Sequence, residues 1–358
     1  MASAPTLLIS VASASRALLY YRYGIAWRTF FTELELEVVL DAPSDRGTLE
    51  VGDRLSVDEC CLASKLFLGH VSALVDQGVD AVFVPSLMGY GRFDTFCTKF
   101  QALPDLAENA FIVAGRRVRV VSFRIDELAG ETEAAAYLGL AARFGVTRKE
   151  AWRAYKAAIA AQRDYGDSMA REQEKLVRSI SKLPAAERPL TILLAAHPYV
   201  SHDPFVGGVV EDALREQGAC VLFADEADKA RSLKKSYEFS HSIPWIVNRE
   251  LIGATLLLHE HIDGIVLMSA YPCGPDSMCD DAIERCIKGK PILTLTVDAQ
   301  AGTAGVETRV ESFIDILGIR RSVLGRLLDV RDVVGQYGGS DKKLDTHRCP
   351  DWSPSVPR

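Results

Sequence analysis

The chain opens on MASAPTLLISVASAS without a single Lys or Arg. A secretory signal needs a basic leading region, so this stretch reads instead as a first buried strand over 6–12. No apolar run approaches the roughly 20 residues of a membrane span, and none is expected. Basic residues are short as well: 41 Lys and Arg face 48 Asp and Glu, a formal net charge of −7. With no basic stripe to offset that balance, a nucleic-acid partner is not expected. There is no C-x-x-C pair, so a structural zinc site, which is usually local and four-coordinate, is disfavoured. There is no G-x-G-x-x-G or Walker pattern to support a nucleotide site. A cytoplasmic location follows, where the eight cysteines stay reduced and point to metal or catalysis before disulfides.

What is present is a long chain of 358 residues, 48% hydrophobic, enough to bury a sizeable core in two domains. After the first strand, RALLYYRYGIAWRTFFTELE (16–35) reads as a helix and LEVVL (36–40) as a strand. A turn cluster, DAPSDRG (41–47), follows. A helix from near Leu62 to Gln77 leads into strands at 79–85 and 117–125. Strands alternating with helices indicate a parallel α/β sheet. Residues 126–187 carry no strand signal, and Thr147 with Glu150 forms a capping box that opens a long helix. The second half repeats the alternation, with strands expected at 190–195, 219–223, 264–269 and 291–297. The domain boundaries are therefore expected at 1–125, 126–187 and 188–328, with 329–358 as a flexible tail.

Three cysteines stand in separate polar or Gly/Pro-rich loops: Cys61 in VDECCLASK, Cys97 in FDTFCTKFQALPDL and Cys273 in SAYPCGPDSM. Each lies just before a helix or soon after a strand, where ligands bind beyond the carboxyl ends of a parallel sheet. Helix starts favour a thiolate and an anionic group, with Asp58 a candidate cap near Cys61 and Asp276 with Ser277 near Cys273. Lys65 and Lys99 suit the same anion. Three thiolates without an obvious fourth suggest an iron–sulfur cube with one iron left open to chemistry. Ligands from both halves would place it in an interdomain cleft. Against this stands the ordinary behaviour of free cysteine as a small buried hydrophobe, which is the reading taken for Cys220 and Cys286. Cys60 is expected to point elsewhere, Cys349 lies in the tail, and Cys279 is the alternative ligand. His197, in AAHPY, sits at a strand end where it either shuttles a proton or caps the backbone. The loop VDAQAGTAGVETR (297–309) has free N–H groups able to hold an anion, and Arg309 is expected in a structural pair.

From Arg16 to about Leu317 the chain resembles the acyl-CoA dehydratase activase-related proteins, relatives of the 2-hydroxyglutaryl-CoA dehydratase D-component. RALLYYRYGIAWRTFFTELELEVVL looks like that family's opening segment. VDECCLASKLFLGHV resembles its D-E-A-C-L-P-x-K-x-x-x-G-H segment, with Cys61 on the motif cysteine and Cys60 on its alanine. FCTKFQALPD resembles C-P-K-x-x-x-L-P-D, YPCGPDS resembles F-G-C-G-P-D-S, and AAHPY resembles G-H-P-Y. The resemblance implies that Cys61, Cys97 and Cys273 hold a [4Fe–4S] cluster between two Rossmann-like domains. It also implies a separate ATP-hydrolysing iron–sulfur activator that delivers one electron for a ketyl-radical elimination of water from a 2-hydroxyacyl-CoA. Other relatives carry a double-cubane cluster and reduce small substrates. Two departures stand out. The family's D-E-H-T-G-E-A-G loop reads here as DAQAGTAG (298–305), without its acidic and histidine side chains, and prolines following two of the cysteines are replaced by Ala63 and Thr98.

Three functions compete on this reading. The first is an iron–sulfur dehydratase or reductase subunit acting on a CoA thioester or other small molecule, paired with itself or a homologous subunit. The second is an electron-transfer or accessory partner of an activator–dehydratase system, and the third a cluster-free paralogue. An enclosed pocket at the cysteines favours the first, a surface cluster without one the second, and sulfurs that fail to converge the third.

Overall fold

The computed structural model describes residues 11–13, 17–91, 94–298 and 304–333. Residues 6–10 of the expected first strand, most of the 298–305 loop, and 334–358 with Cys349 lie outside the described residues. The chain is α/β, with parallel sheets among many helices. In the first half, β1 (Val11–Ser13), β2 (Val38–Val39), β3 (Ala81–Phe83) and β5 (Val120–Val121) form one sheet in the order β2-β1-β3-β5. A parallel pair, β4 (Ser86–Gly89) with β6 (Arg124–Asp126), extends beyond it. The expected strand at 79–85 is thus the short β3, with β4 starting only after Pro85, and the one expected at 117–125 divides into β5 and β6. In the second half, β7 (Thr191–Ala196), β8 (Cys220–Phe223), β9 (Gly264–Ala270) and β10 (Ile292–Val297) form a second parallel sheet in the order β10-β9-β7-β8. Strands β7 and β9 are buried along their whole length, as their unbroken apolar runs require when both faces are covered.

The turn cluster at 41–47 is the start of a helix, Arg46–Leu55, in which Asp45 and Thr48 form a reciprocal capping box. Its Gly52 lies so close to the helix Leu62–Asp76 that a Cβ would sit 1.7 Å from the Lys65 carbonyl oxygen. Only glycine permits that backbone approach. An aromatic cluster covers the first sheet: Trp27 and Phe31 from the helix Tyr20–Glu33 meet Phe83 of β3 edge-on. The long helix Arg148–Lys182, opened by the Thr147/Glu150 box as expected, braces both halves. Its buried Ala151, Ala154 and Ala158 form one apolar stripe. Gln162 Oε1 accepts from the Ala26 backbone N–H (3.1 Å). Farther along, Gln173 exchanges two hydrogen bonds with the backbone of Phe223, satisfying the outer edge of β8. Among the described residues no helix is long and apolar enough to cross a membrane.

Polar groups lock one half to the other. Arg22 and Glu250 form a two-pronged ion pair with side chains only 8% and 4% exposed. Asp203 accepts from Ser44 and from the Tyr21 hydroxyl. Ser44 in turn meets His70 Nε2 at 2.8 Å, and His70 Nδ1 meets Asp41. Removing one partner of a buried ion pair strands the other charge. Glu250→Ala is therefore expected to cost about 3–5 kcal/mol of unfolding free energy. Glu211→Ala, which breaks a surface pair with Arg215, is expected to cost about 0–1 kcal/mol. Equal urea midpoints for the two variants would contradict this placement.

Candidate functional site

All three loop cysteines occupy the same structural position, the residue immediately before a helix. Cys61 precedes Leu62–Asp76, Cys97 precedes Thr98–Gln101 and Cys273 precedes Gly274–Cys286. His197 stands likewise before Pro198–Ser201. None of the four side chains caps its own helix, so each remains available to the space in front. The unpaired N–H groups of a first helical turn favour negative charge in that space. Asp58 does not act as the cap before Leu62. Cys273 follows β9 and His197 follows β7, neighbouring strands between which the chain order reverses. Such a reversal opens a crevice at the carboxyl ends of a parallel sheet.

Cys61, Cys97, Cys273, His197, Lys99 and Tyr199 line one pocket of about 160 Å³. Backbone hydrogen bonds across the two halves hold its loops in place. The Leu62 N–H, beside Cys61, donates to the Tyr271 carbonyl, two residues before Cys273 (2.9 Å). Thr95, two residues before Cys97, donates to the Pro244 carbonyl (2.8 Å) and accepts from the Ile246 N–H (3.0 Å). The Cys61 sulfur lies 3.3 Å from Ser64 Oγ.

Burial dominates the electrostatics. It pushes the Cys97 thiol up, against the pull of the Lys99 N–H and ammonium. Burial and then the Asp276 carboxylate push Cys273 far above the usual thiol range. A thiol in such surroundings gives up its proton only where a cation or metal replaces the lost hydration. Burial alone would lower His197, but Asp276, 2.9 Å from its Nε2, outweighs that and raises it. Asp276, which burial alone would raise, is held below the ordinary carboxylate range by His197, Asn248 and Cys273. Asn248 Nδ2 donates to Asp276 at 2.8 Å.

The two lysines differ. Lys99 lines the pocket, with Nζ donating to the Glu59 carbonyl (3.3 Å). Lys65 is not among the lining residues; Asp53, across the helix pair, holds its ammonium. Cys279 is buried beneath the pocket, beside Asp276 and Asp280. Arg309 donates to the Thr294 carbonyl, the structural bond expected of it. The Asp276–Asn248 support of His197 was not anticipated from sequence; Asp276 was expected to cap a helix, and instead reaches two side chains far away in the chain.

The chain belongs to the family described as CoA enzyme activase uncharacterised domain (DUF2229), whose model matches residues 14–226. No curated protein matches. Similar solved structures include glucosamine-6-phosphate deaminase from Thermotoga maritima, at 12% identity over 88% of this chain and 85% of that one, TM-score 0.21. The periplasmic zinc binding protein TroA from Treponema pallidum shows 12% identity over 86% and 97% of the two chains, TM-score 0.19. Scores this low carry no inference about fold or function.

His197 has its folded value raised from an ordinary 6.5. Its partnership with Asp276 therefore stabilises the fold fully below about that pH and fades as pH rises through the raised value. On the acid side, the lowered Asp276 contributes above its ordinary 3.8 and fades as pH falls through its folded value. The urea-midpoint gap between wild type and Asp276→Asn should accordingly be widest between those limits and narrow toward alkaline pH. A gap that stays constant would contradict the pairing.

Proposed function

We propose that this chain is an iron–sulfur subunit related to 2-hydroxyacyl-CoA dehydratase components, with Cys61, Cys97 and Cys273 holding a [4Fe–4S] cluster in the cleft between two Rossmann-like domains. The observation that carries this reading is that three helix-leading cysteines, drawn from both halves, line one pocket. Membership in a CoA enzyme activase family supports the setting. A cluster and a single ion ask different spacings of three sulfurs. Thiolates bound about 2.3 Å from one metal lie only about 3.8 Å apart, whereas the corners of a cube spread them to roughly 6–7 Å. Among the described residues no group of three or more His, Cys, Asp or Glu side chains is arranged to hold a metal ion, so the reading rests on the shared pocket and not on a preformed donor set.

When bound, the cluster would supply one low-potential electron and an iron coordination position that no cysteine fills. The chain's own residues prepare the surroundings. Helix N-termini and Lys99 offset negative charge. Phe100 and Trp245 keep the wall apolar and limit water. His197, raised by Asp276 against the opposing effect of burial, stands at the pocket wall within reach of a substrate oxygen as a proton donor or acceptor. At about 160 Å³ the pocket is below the roughly 300–1,000 Å³ of sites that enclose drug-sized ligands. It therefore takes the reacting head of a CoA thioester or another compact substrate, not the whole of CoA. That compactness also favours a second reading, an electron-transfer or accessory role. In either role a separate ATP-hydrolysing iron–sulfur activator docks transiently, and the chain pairs with itself or a homologous subunit.

Anaerobic purification with iron and sulfide counting tests the ligand set. About four of each per chain is expected, and about eight would indicate a double cubane. Cys61→Ala and Cys273→Ala should each abolish iron binding, while Cys220→Ala on β8 should keep it. Full iron in Cys273→Ala would overturn the assignment and make Cys279 the next ligand to test. Turnover of a 2-hydroxyacyl-CoA with activator and ATP separates the enzymatic reading from the accessory one.

A further inference from the structure

The single turn Pro198–Ser201 divides two cavities. His197 and Tyr199 face the cysteines, whereas Pro198 lines a second cavity of about 210 Å³ that has a different chemistry. We propose that this second cavity, walled by Arg22, Lys229 and Glu226, binds a small oxyanion, the carboxylate or phosphate group of a compact ligand.

Its position is that of a ligand site. His202 and Glu226 lie beyond the carboxyl ends of β7 and β8, where parallel sheets bind ligands. Its donors are also poorly used. The Arg22 guanidinium gives both terminal nitrogens to Glu250, but its buried Nε has no hydrogen-bond partner. Lys229 Nζ donates to the Asp225 carbonyl oxygen (2.8 Å), one bond for a group with three donors. Burial lowers Lys229, and the nearby Arg22 charge adds to that shift. An anion here would take up the unused Arg22 Nε–H and Lys229 N–H donors. Gly166, in the interior of the long helix, lines the same cavity, and a Cβ there would meet open space. Glycine weakens a helix interior relative to alanine; here it leaves the wall bare.

The acidic groups do not cancel this. Glu250 is held by Arg22, and Asp225 by His202 at 2.8 Å. Glu226 has no such partner. Burial, then Asp225, pushes its carboxyl up to about 7, against the pull of His202 and Lys229. The other charged or titratable groups around it include Glu211 from Gly208–Glu216, Tyr165 from the long helix, and Tyr21 and Arg22 from Tyr20–Glu33. Protonated, Glu226 donates to an anion; ionised, it repels one. Affinity should therefore fall as pH rises through about 7.

Calorimetric titration of the full chain with sulfate and with acetate, whose charges stay fixed from about pH 6 to about pH 8.5, tests this. Saturable binding that is tighter at the lower pH is expected. Lys229→Gln should weaken it about tenfold or more, and Glu226→Gln should reduce the pH dependence to what His202 contributes. Gly166→Leu provides a second block that touches no charge: it fills the cavity while strengthening the helix, so binding should vanish with the unfolding midpoint intact. Sulfate binding alone assigns a phosphate-bearing ligand, and acetate binding alone a carboxylate. The proposal is overturned if neither probe saturates below about 20 mM, or if folded Gly166→Leu and Lys229→Gln bind as the wild type does.

Discussion

The cysteine pocket depends on backbone polar groups in its three loops finding partners across the boundary between the two sheets. A buried N–H or C=O without a partner costs about as much as a lost hydrogen bond, and loops and helix starts have the most such groups to satisfy. Here the Leu62 N–H reaches Tyr271, and Thr95 bonds on both sides to Pro244 and Ile246. These bonds carry Cys61 and Cys97 to the crevice where Cys273 already stands at the end of β9. Side chains then fix the halves relative to one another through Arg22 with Glu250 and through Asp203 with Ser44 and Tyr21. The sulfurs are thus positioned chiefly by main chain and by buried charge, with Ser64 beside Cys61 and Asp276 beside Cys273.

The same short turn explains why two unlike cavities can lie side by side. Toward the cysteines the walls are largely apolar and burial raises the Cys97 and Cys273 thiols; toward Arg22 and Lys229 the walls are charged, with donors left unused. One side suits a compact group that brings its own positive metal charge to thiolate ligands, and the other suits a small anion. Because His197 leads the turn and Pro198 begins it, a shift of this segment would reshape both.

Much of the second sheet was legible because β7 and β9 are unbroken apolar runs, buried on both faces and bounded by polar loops. The first sheet was less so. Its strands are only two or three residues long, and β4 and β6 leave the main sheet after Pro85 and Ser122. The helix Arg46–Leu55 was hidden because Gly47 closes the turn cluster at 41–47; Gly52 within it is required by close packing on Lys65. In the site, the cysteines could be found because each precedes a helix signal. The partners of Asp276 could not, since Asn248 and His197 are distant in sequence and meet it only through the stacking of β7 beside β9. Lys65 lies one helical turn beyond Cys61, yet the crossing helix presents Asp53 to its ammonium.

Mössbauer spectroscopy of the anaerobically reconstituted chain, loaded with the Mössbauer-active iron isotope, tests the central claim most directly. Cubane iron in which one site is distinguishable from the other three, because no cysteine would bind it, is expected, with loss of that spectrum in Cys97→Ser. Mononuclear iron alone, or a folded chain that takes up no cluster, would contradict it.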